Sequence, residues 1–459
     1  MNVKPLHIVI LAAGKGSRMH SEQAKVLHKI GGQSLLSHVI RSAEKLAPAQ
    51  IHVVIGHGKE QIQTAFSHHT NLNWVIQERQ LGTGHAVAQT LPYIKGPSNI
   101  LMLTADVPLL KTATLELMCN AMTATSLVLL TADVKDPSGL GRIQRDHSNA
   151  VVGIVEHKDA SAEQIKITEI NSGIICADSD HLKKWLGEIG NSNAQGEYYL
   201  TDIVEIAANE GQPILAVHPQ TNAEVLGINS RSQLAMAERE YQHLRAQQLM
   251  DAGVTIIDPA RIDIRGEVSV EPDTIIDINV VLQGPTSIGR NCHIGANSFI
   301  NACVIDDDVS VHPNCVIEQS KISSGANIGP FARLRPGTEL AENVRIGNFV
   351  ETKNAVIAAE SKVNHLSYVG DAQVGRDTNI GAGVITCNYD GANKHKTIIG
   401  NEVFVGSDCQ LIAPVEIQDG ATVGAGSTIT SKVGTKQLAI SRAKQRLING
   451  WQRPIKKPK

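Results

Sequence analysis

Two hydrophobic rhythms divide the chain. Over residues 1–228, short apolar runs at Ile8–Leu11, Ile51–Ile55, Ile100–Leu103 and Leu127–Thr131 alternate with longer amphipathic stretches. Short, continuous apolar runs fit strands buried on both faces, and the amphipathic stretches between them supply crossover helices. An open α/β sheet of buried parallel strands is the expectation. After Asn229, Ser230 is followed three residues later by Gln233, and Leu234, Ala237, Tyr241 and Leu244 keep helical spacing as far as Gly253. This predicts one capped helix linking two domains.

From about residue 254 apolar residues recur every six, often followed by glycine, as at Ile288-Gly289, Ile294-Gly295, Ile328-Gly329, Ile346-Gly347, Ile380-Gly381, Val405-Gly406 and Val423-Gly424. A hexapeptide repeat predicts a parallel β-helix, and three hexads per turn give about ten turns over 254–434. Small residues four places after the apolar one, Cys292, Ala326, Cys409 and Ala421, suit a narrow triangular interior. The rhythm breaks from Thr386 to Thr397, where an external loop must leave the helix. From Lys432 onward there are nine Lys or Arg and no Asp or Glu, a basic tail expected to be partly disordered.

Composition sharpens this picture. A chain of 459 residues exceeds one hydrophobic core. Only 3% of residues are aromatic while 39 are glycine, so much of the packing rests on small side chains. A formal charge of −3 gives no net attraction to nucleic acid or to an anionic membrane and favours small-molecule partners. The seven cysteines form no C-x-x-C pair and are odd in number, which argues against a disulfide framework or a zinc site. The apolar stretch Ile8–Ala13 is too short for a membrane span or a signal-peptide core. A cytoplasmic enzyme is the expectation.

The first strand runs into Leu11-Ala12-Ala13-Gly14-Lys15-Gly16-Ser17-Arg18-Met19, where the glycines let backbone N–H groups approach phosphates. A plain tight turn would read the same way. No acid follows the second strand, which ends in Gly56-His57-Gly58, and no G-x-x-x-x-G-K-[ST] occurs, so dinucleotide and P-loop enzymes are disfavoured. Asp106 follows the strand Asn99–Thr104, at the carboxyl edge where open α/β sheets bind ligands. It is a candidate Mg²⁺ ligand or an ordinary strand-end acid.

The stretch Leu11–Met19, Gln77 with Leu81–His85, Asp106, Gly139–Ile143, Val155–Asp159, Glu169–Gly173 and Gly196–Asp202 resemble the sugar-nucleotidyltransferases. With the hexapeptide half behind them, the chain resembles over essentially its whole length the bifunctional N-acetylglucosamine-1-phosphate uridyltransferase / glucosamine-1-phosphate acetyltransferase family. The resemblance implies a Rossmann-like nucleotidyltransferase domain over 1–228, a linker helix over 229–253 and a left-handed parallel β-helix over 254–459. It implies acetylation of glucosamine-1-phosphate by acetyl-CoA, then uridylyl transfer from UTP giving UDP-N-acetylglucosamine for peptidoglycan, lipopolysaccharide and other envelope polymers. By the same resemblance Leu11, Ala12, Ala13 and Gly14 hold the nucleotide, Lys25 and Arg18 its phosphates, and Gln77, Gly82 and Thr83 the uracil. Gly141, Glu156 and Asn171 hold the N-acetylglucosamine moiety, and Asp106, beside Thr104 and Ala105, joins Asn229 on Mg²⁺. Ala24, where proline is common, and Thr104-Ala105, where an aromatic residue and glycine are common, depart from the family pattern.

A histidine in a β-helix is often a plain surface residue. His365, however, lies off the recurring apolar positions, close to Tyr368 and upstream of Asn379 and the 386–397 loop. Acetyl transfer to an amine largely protonated near neutral pH needs a base of matched pKa, which histidine supplies. Glu351 is a candidate partner for fixing its tautomer. The resemblance implies Arg335, Lys353, Tyr368 and Asn379 on the sugar phosphate, and Ala382, Asn388, Tyr389, Ser407, Ala425 and Arg442 on acetyl-CoA. Cys387, with no identified activating partner, reads as a bystander. These residues span about six turns, too far apart along one prism, so a cyclic homo-oligomer, most simply a trimer, is expected. The rivals are a glucose-1-phosphate nucleotidyltransferase with a purely structural β-helix, and a regulatory subunit without catalysis.

Overall fold

Alternating apolar side chains pack the two faces of a seven-strand backbone sheet in the N-terminal half. The computed structural model describes residues 4–456. Its strands are β1 (Leu6–Ala12), β2 (Gln50–Ile55), β3 (Leu72–Ile76), β4 (Asn99–Thr104), β5 (Leu127–Asp133), β6 (Glu169–Asp178) and β7 (Ile214–Val217), in the spatial order β7-β5-β6-β4-β1-β2-β3. Ile8 and Ile10 enter one core with Val53, Leu101 and Leu103, while Val9 enters the other with Val54, Ile100 and Met102. Period-two alternation in a sheet covered on both sides produces this division. Each such buried aliphatic side chain contributes about 1.5–3 kcal/mol.

The sheet is mixed rather than parallel throughout, because β6 runs antiparallel to both β4 and β5. A short hairpin, Arg142–Arg145 with Val151–Val155, extends β6 at its edge. The ends of β1 and β4 lie together, with the Ala105 N–H donating to the Leu11 carbonyl at 3.1 Å. Ala24 takes φ −54°, the value proline would impose, and its N–H donates to Gln61 Oε1 at 3.0 Å. The replacement thus keeps the backbone and adds a bond that proline could not make.

Helix Arg231–Asp251 opens with Ser230 Oγ accepting the Gln233 N–H, while Gln233 Oε1 reaches back to the Asn229 N–H. The chain divides into two compact units between Tyr241 and Gln242, inside this helix. Ala237 packs with Ile30, Leu35, Leu109 and Ile228 in the first unit, whereas Ala246 and Leu249 belong to the core of the second.

The second unit is a parallel β-helix. Ile276 pairs with Ile294 and Ile294 with Val311, so a turn takes 18 or 17 residues, three hexads. One face carries eleven strands among the described residues, ending at Leu438–Ala439, one rung more than the spacing over 254–434 predicts. Corners fall at left-handed residues such as Asn291, Asn297, Asp308, Asn314, Asn343 and Asp377. Asn and Asp tolerate this conformation best after glycine, which is why they punctuate the hexads. Cys292, Cys303, Cys315 and Cys409 are fully buried packing residues. Between strands Ile385–Cys387 and Thr397–Ile399 the chain leaves the helix, and the turn from Asn379 to Phe404 lengthens to 25 residues. Beyond Ala439 the described chain is exposed and without helix or strand, and 457–459 lie outside the described residues.

Candidate active sites

In the first unit a cavity of about 530 Å³ opens at the carboxyl ends of β1 and β4. Leu11, Ala12, Ala13, Gly14, Lys25, Gln77, Gly82, Thr83, Thr104 and Asp106 line it, together with Lys15 and Glu197, which lie in the motifs without an assigned role, and Gln80, which lies outside them. Gln77 is buried, donating to the Gly82 carbonyl at 3.1 Å and meeting His85 Nδ1 at 3.0 Å. Gly82 has φ +116° and ψ 173°, and a Cβ there would lie 2.4 Å from the Tyr198 carbonyl oxygen. Only glycine fits this close approach. Ala105 is buried behind the cavity, and Arg18 is exposed and does not line it.

Asn229 reaches the cavity edge because the Ile228 N–H donates to the Asp106 carbonyl at 2.9 Å. The Lys25 ammonium then sits between Asp106 Oδ2 at 2.6 Å and Asn229 Oδ1 at 2.9 Å. Two hard oxygens meeting on one cation are the donor set that Mg²⁺ accepts alongside phosphates and water. These residues therefore fit that ion. Among the described residues no group of three or more His, Cys, Asp or Glu converges as a metal site.

Gly141, Glu156 and Asn171 form a cluster of their own. The Asn171 N–H donates to the Gly141 carbonyl at 2.9 Å, and a Cβ on Gly141 would stand 3.4 Å from Glu156 Oε1. Burial pushes the Glu156 carboxyl up, against the lowering bond from Thr201 Oγ1 at 3.2 Å. Asp202 is pushed up to about 6 by burial and then by Glu205, Glu156 and Asp159. Four acids crowd this corner of the unit.

In the β-helix, His365 ends a strand paired to Arg345–Asn348, and its Nδ1 meets Asn348 Oδ1 at 3.1 Å. An amide oxygen only accepts, so Nδ1 carries the proton and Nε2 the lone pair. Glu351, the candidate from sequence, is not that partner. Arg335, one turn earlier, takes it in an ion pair of 2.8 Å. Asn348 lies 17 residues before His365, one turn of the helix, and that period was the signal available for finding it. Gly383 N–H donates to the His365 carbonyl, Asp408 N–H to Ala382, Gly426 N–H to Ser407, and Arg442 Nη1 to Ala425 at 2.6 Å. His365, Ala382, Ser407 and Ala425 thus stack in one column closed by Arg442.

Arg335, Glu351, Lys353 and Tyr368 lie on the face beyond the Leu366 corner, with Glu351 paired to Tyr368 and Lys353 to Gly370. A Cβ on Gly370 would stand 2.3 Å from the Tyr368 hydroxyl, so glycine leaves room for the phenol to lie across it. Asn388 reaches Tyr368 Oη at 3.4 Å. Asn379 sits on the other face opposite Lys362, and Tyr389 is exposed with its hydroxyl donating to the Gly391 carbonyl. One chain does not gather all ten proposed sugar-phosphate and acetyl-CoA ligands around one point. Lys394, absent from the sequence reading, faces Lys353 and lowers its pKa. The Cys387 thiol is pushed up by burial, and among the described residues its one hydrogen bond is a long one to the Ile385 carbonyl.

Residues 8–244 match a MobA-like NTP transferase domain, 264–346 the C-terminal domain of GMPPB, and 396–431 the bacterial transferase hexapeptide. The chain is 51% identical over 454 residues to the Bifunctional protein GlmU of Marinobacter nauticus, covering 99% of this chain and 100% of that relative. The chain belongs to the bifunctional GlmU family. It is a bifunctional uridyltransferase and acetyltransferase of UDP-N-acetylglucosamine synthesis, carrying a nucleotidyltransferase fold and a hexapeptide fold. Membership does not favour a β-helix used only for assembly. No helix among the described residues is long and apolar enough to cross a membrane.

Proposed function

We propose that residues 1–228 perform uridylyl transfer in the 530 Å³ cavity and residues 254–459 perform acetyl transfer beside His365, with 229–253 between them. The convergence of Lys25 with Asp106 and Asn229, beside the backbone of Leu11–Gly14, is the observation that carries the first half. In-line attack by a sugar-1-phosphate oxygen on the α-phosphorus of UTP needs alignment and charge neutralisation more than proton transfer, since the nucleophile is already an anion. Mg²⁺ held by Asp106 and Asn229 would neutralise phosphate charge and align the reacting groups. Lys25 supplies a second positive charge from inside the cavity, and Arg18, exposed and outside its lining, is proposed to bring a third to the phosphates. Gln77, Gly82 and Thr83 offer the uracil a rigid edge. Gly141, Glu156 and Asn171 receive the N-acetylglucosamine moiety through one backbone group, one carboxyl and one amide.

On the β-helix, Nε2 of His365 takes the proton as the amine of glucosamine-1-phosphate attacks the thioester carbonyl. Arg335, Lys353, Tyr368 and Asn379 hold the phosphate-bearing sugar. Ala382, Ser407, Ala425 and Arg442 form a track for acetyl-CoA below His365, with Asn388 and Tyr389 at the loop. The division of these residues between two faces supports completion of each site by another copy, in a homotrimer. Exposed apolar side chains at the same corner column, Phe331 stacked on Phe349 at 5.4 Å and Leu366 above them, suit such a contact. UTP, sugar-1-phosphates and acetyl-CoA are the proposed partners, and the cytoplasm, which supplies all three, is the proposed compartment. The test is incubation with glucosamine-1-phosphate, acetyl-CoA, UTP and Mg²⁺, omitting each in turn. The sugar nucleotide forms only in the complete mixture. Its formation without UTP or without Mg²⁺ would overturn the uridylyl reading, and its formation from glucosamine-1-phosphate without acetyl-CoA the acetyl reading.

A further inference from the structure

Asp371 is a buried carboxylate that neither set of binding residues includes. It occupies a corner with φ +48°, one turn above Asn354 at φ +46° and one turn below Asn388. Its Oδ1 accepts the Asn354 side-chain N–H at 2.7 Å, and its Oδ2 accepts that of Asn388. An amide–carboxylate–amide ladder therefore climbs three successive turns and ends at Asn388, where the chain departs into the 388–396 loop. The return limb meets the same residue, as the His395 N–H donates to the Asn388 carbonyl at 2.8 Å.

The corner itself does not demand a charge. Left-handed corners elsewhere in the prism are filled by Asn as readily as by Asp, and an amide could satisfy either neighbour. A buried carboxylate needs compensation, and here it comes from two amides and two cations, Lys353 on the adjoining strand and Lys394 in the loop. Burial alone would raise this carboxyl, yet the Asn354 and Asn388 bonds and the two lysines leave it below its ordinary value. The lysines repel each other, which lowers Lys353. Asp371 is the carboxylate that offsets that repulsion while holding the loop's first residue.

We propose that Asp371 is a positioning residue for acetyl transfer, fixing the root of the 388–396 loop through Asn388 and keeping Lys353 and Lys394 together beside Tyr368. Asp371 itself touches no substrate; its effect passes through Asn388 and the lysines. The inference rests on the proposed roles of Lys353, Tyr368 and Asn388.

The test uses the full chain with Asp371→Ala and Asp371→Asn, and Lys353→Ala and Asn388→Ala in parallel. For Asp371→Ala, amide exchange in 388–396 should quicken about tenfold or more while the flanking turns keep their protection. Its KM for glucosamine-1-phosphate and for acetyl-CoA should each rise about tenfold, with kcat within about threefold and uridylyl transfer unchanged. Asp371→Asn keeps an acceptor for Asn388, so loop exchange stays near that of the parent while the KM for glucosamine-1-phosphate still rises. A fall in kcat at constant KM, with protection lost through the whole prism, would mean a merely structural role and overturn the proposal. So would unchanged KM values in Asp371→Ala. If that variant does not fold, an unchanged KM for glucosamine-1-phosphate in Asp371→Asn is decisive against it. Unchanged KM values in Lys353→Ala and Asn388→Ala would instead refute the underlying site assignment.

Discussion

Adding one methyl group at Gly82 should cripple the nucleotide site. The new Cβ would lie 2.4 Å from the Tyr198 carbonyl oxygen, 2.7 Å from its nitrogen and 2.9 Å from its carbonyl carbon. Tyr198 cannot withdraw freely, because its N–H donates to the Leu81 carbonyl at 2.8 Å and its carbonyl accepts the Gly84 N–H at 2.9 Å. Next to these, the Leu200 N–H donates to Thr83 Oγ1 at 3.0 Å. An alanine at φ +116° carries about 1–3 kcal/mol of backbone strain. Relief of the clash breaks one or two of the three bonds, at about 0.5–1.5 kcal/mol each. Together the loss is about 1.5–6 kcal/mol. At a urea m-value of about 3 kcal/mol/M, the midpoint of the N-terminal unit should fall by about 0.5–2 M. Because Gly82 and Thr83 border the cavity, the KM for UTP should rise about tenfold while acetyl transfer is unaffected. Gly187→Ala is the control. It lies near the end of helix Ser179–Glu188 with nothing within 4 Å of its new methyl, so it should stabilise by about 0.5–1 kcal/mol. A Gly82→Ala protein with the parent's urea midpoint and KM for UTP would refute this reasoning.

Asp202→Asn should make stability depend less on pH. The folded-state pKa of Asp202 is raised to about 6, so its favourable contribution is complete below about pH 4 and is lost as pH rises through 6. The variant should therefore match the parent at pH 4 and exceed it at pH 8. Screening of this half-exposed group reduces the gain to about 1 kcal/mol, and thermal unfolding at both pH values that shows the same difference would contradict the assignment. Cys387→Ser should keep acetyl transfer within about threefold, since the thiol is raised by burial and has no activating base among the described residues. An acetyl-cysteine trapped at Cys387 during turnover would show otherwise.

The hexad rhythm exposed the β-helix because each turn repeats the same inward positions, and the apolar runs exposed β1, β2, β4 and β5 because burial on both faces leaves few polar positions, His52 and Thr131 among them. The reversal of β6 was not legible. Strand direction depends on the pairing of Ile175 with Met102 and Leu129, and nothing local in Glu169–Asp178 encodes it. Side-chain partners across turns were equally hidden. Glu351 looked available to His365 until Arg335, nearly one turn away in sequence, claimed it. Asn348 with His365, and Asn354 with Asp371 and Asn388, follow a period of 17 that becomes visible once the rungs are stacked. Lys394 was obscured by lying in a loop whose return path no repeat dictates. In the first half, the Lys25, Asp106 and Asn229 positions could be named from motifs. Their meeting depends on the backbone bond from Ile228 to Asp106.

Separating the two activities by single substitutions tests the central claim most directly. Pyrophosphate release from UTP and N-acetylglucosamine-1-phosphate, and thiol release from acetyl-CoA and glucosamine-1-phosphate, would be measured side by side for the parent, Asp106→Asn and His365→Ala. Asp106→Asn should lose Mg²⁺-dependent pyrophosphate release and keep thiol release. His365→Ala should lose about 10²-fold or more of thiol release, the range for a missing general base, and keep pyrophosphate release. Loss of both activities in either folded variant, or near-normal activity of the targeted half-reaction, would contradict two independent sites in this chain.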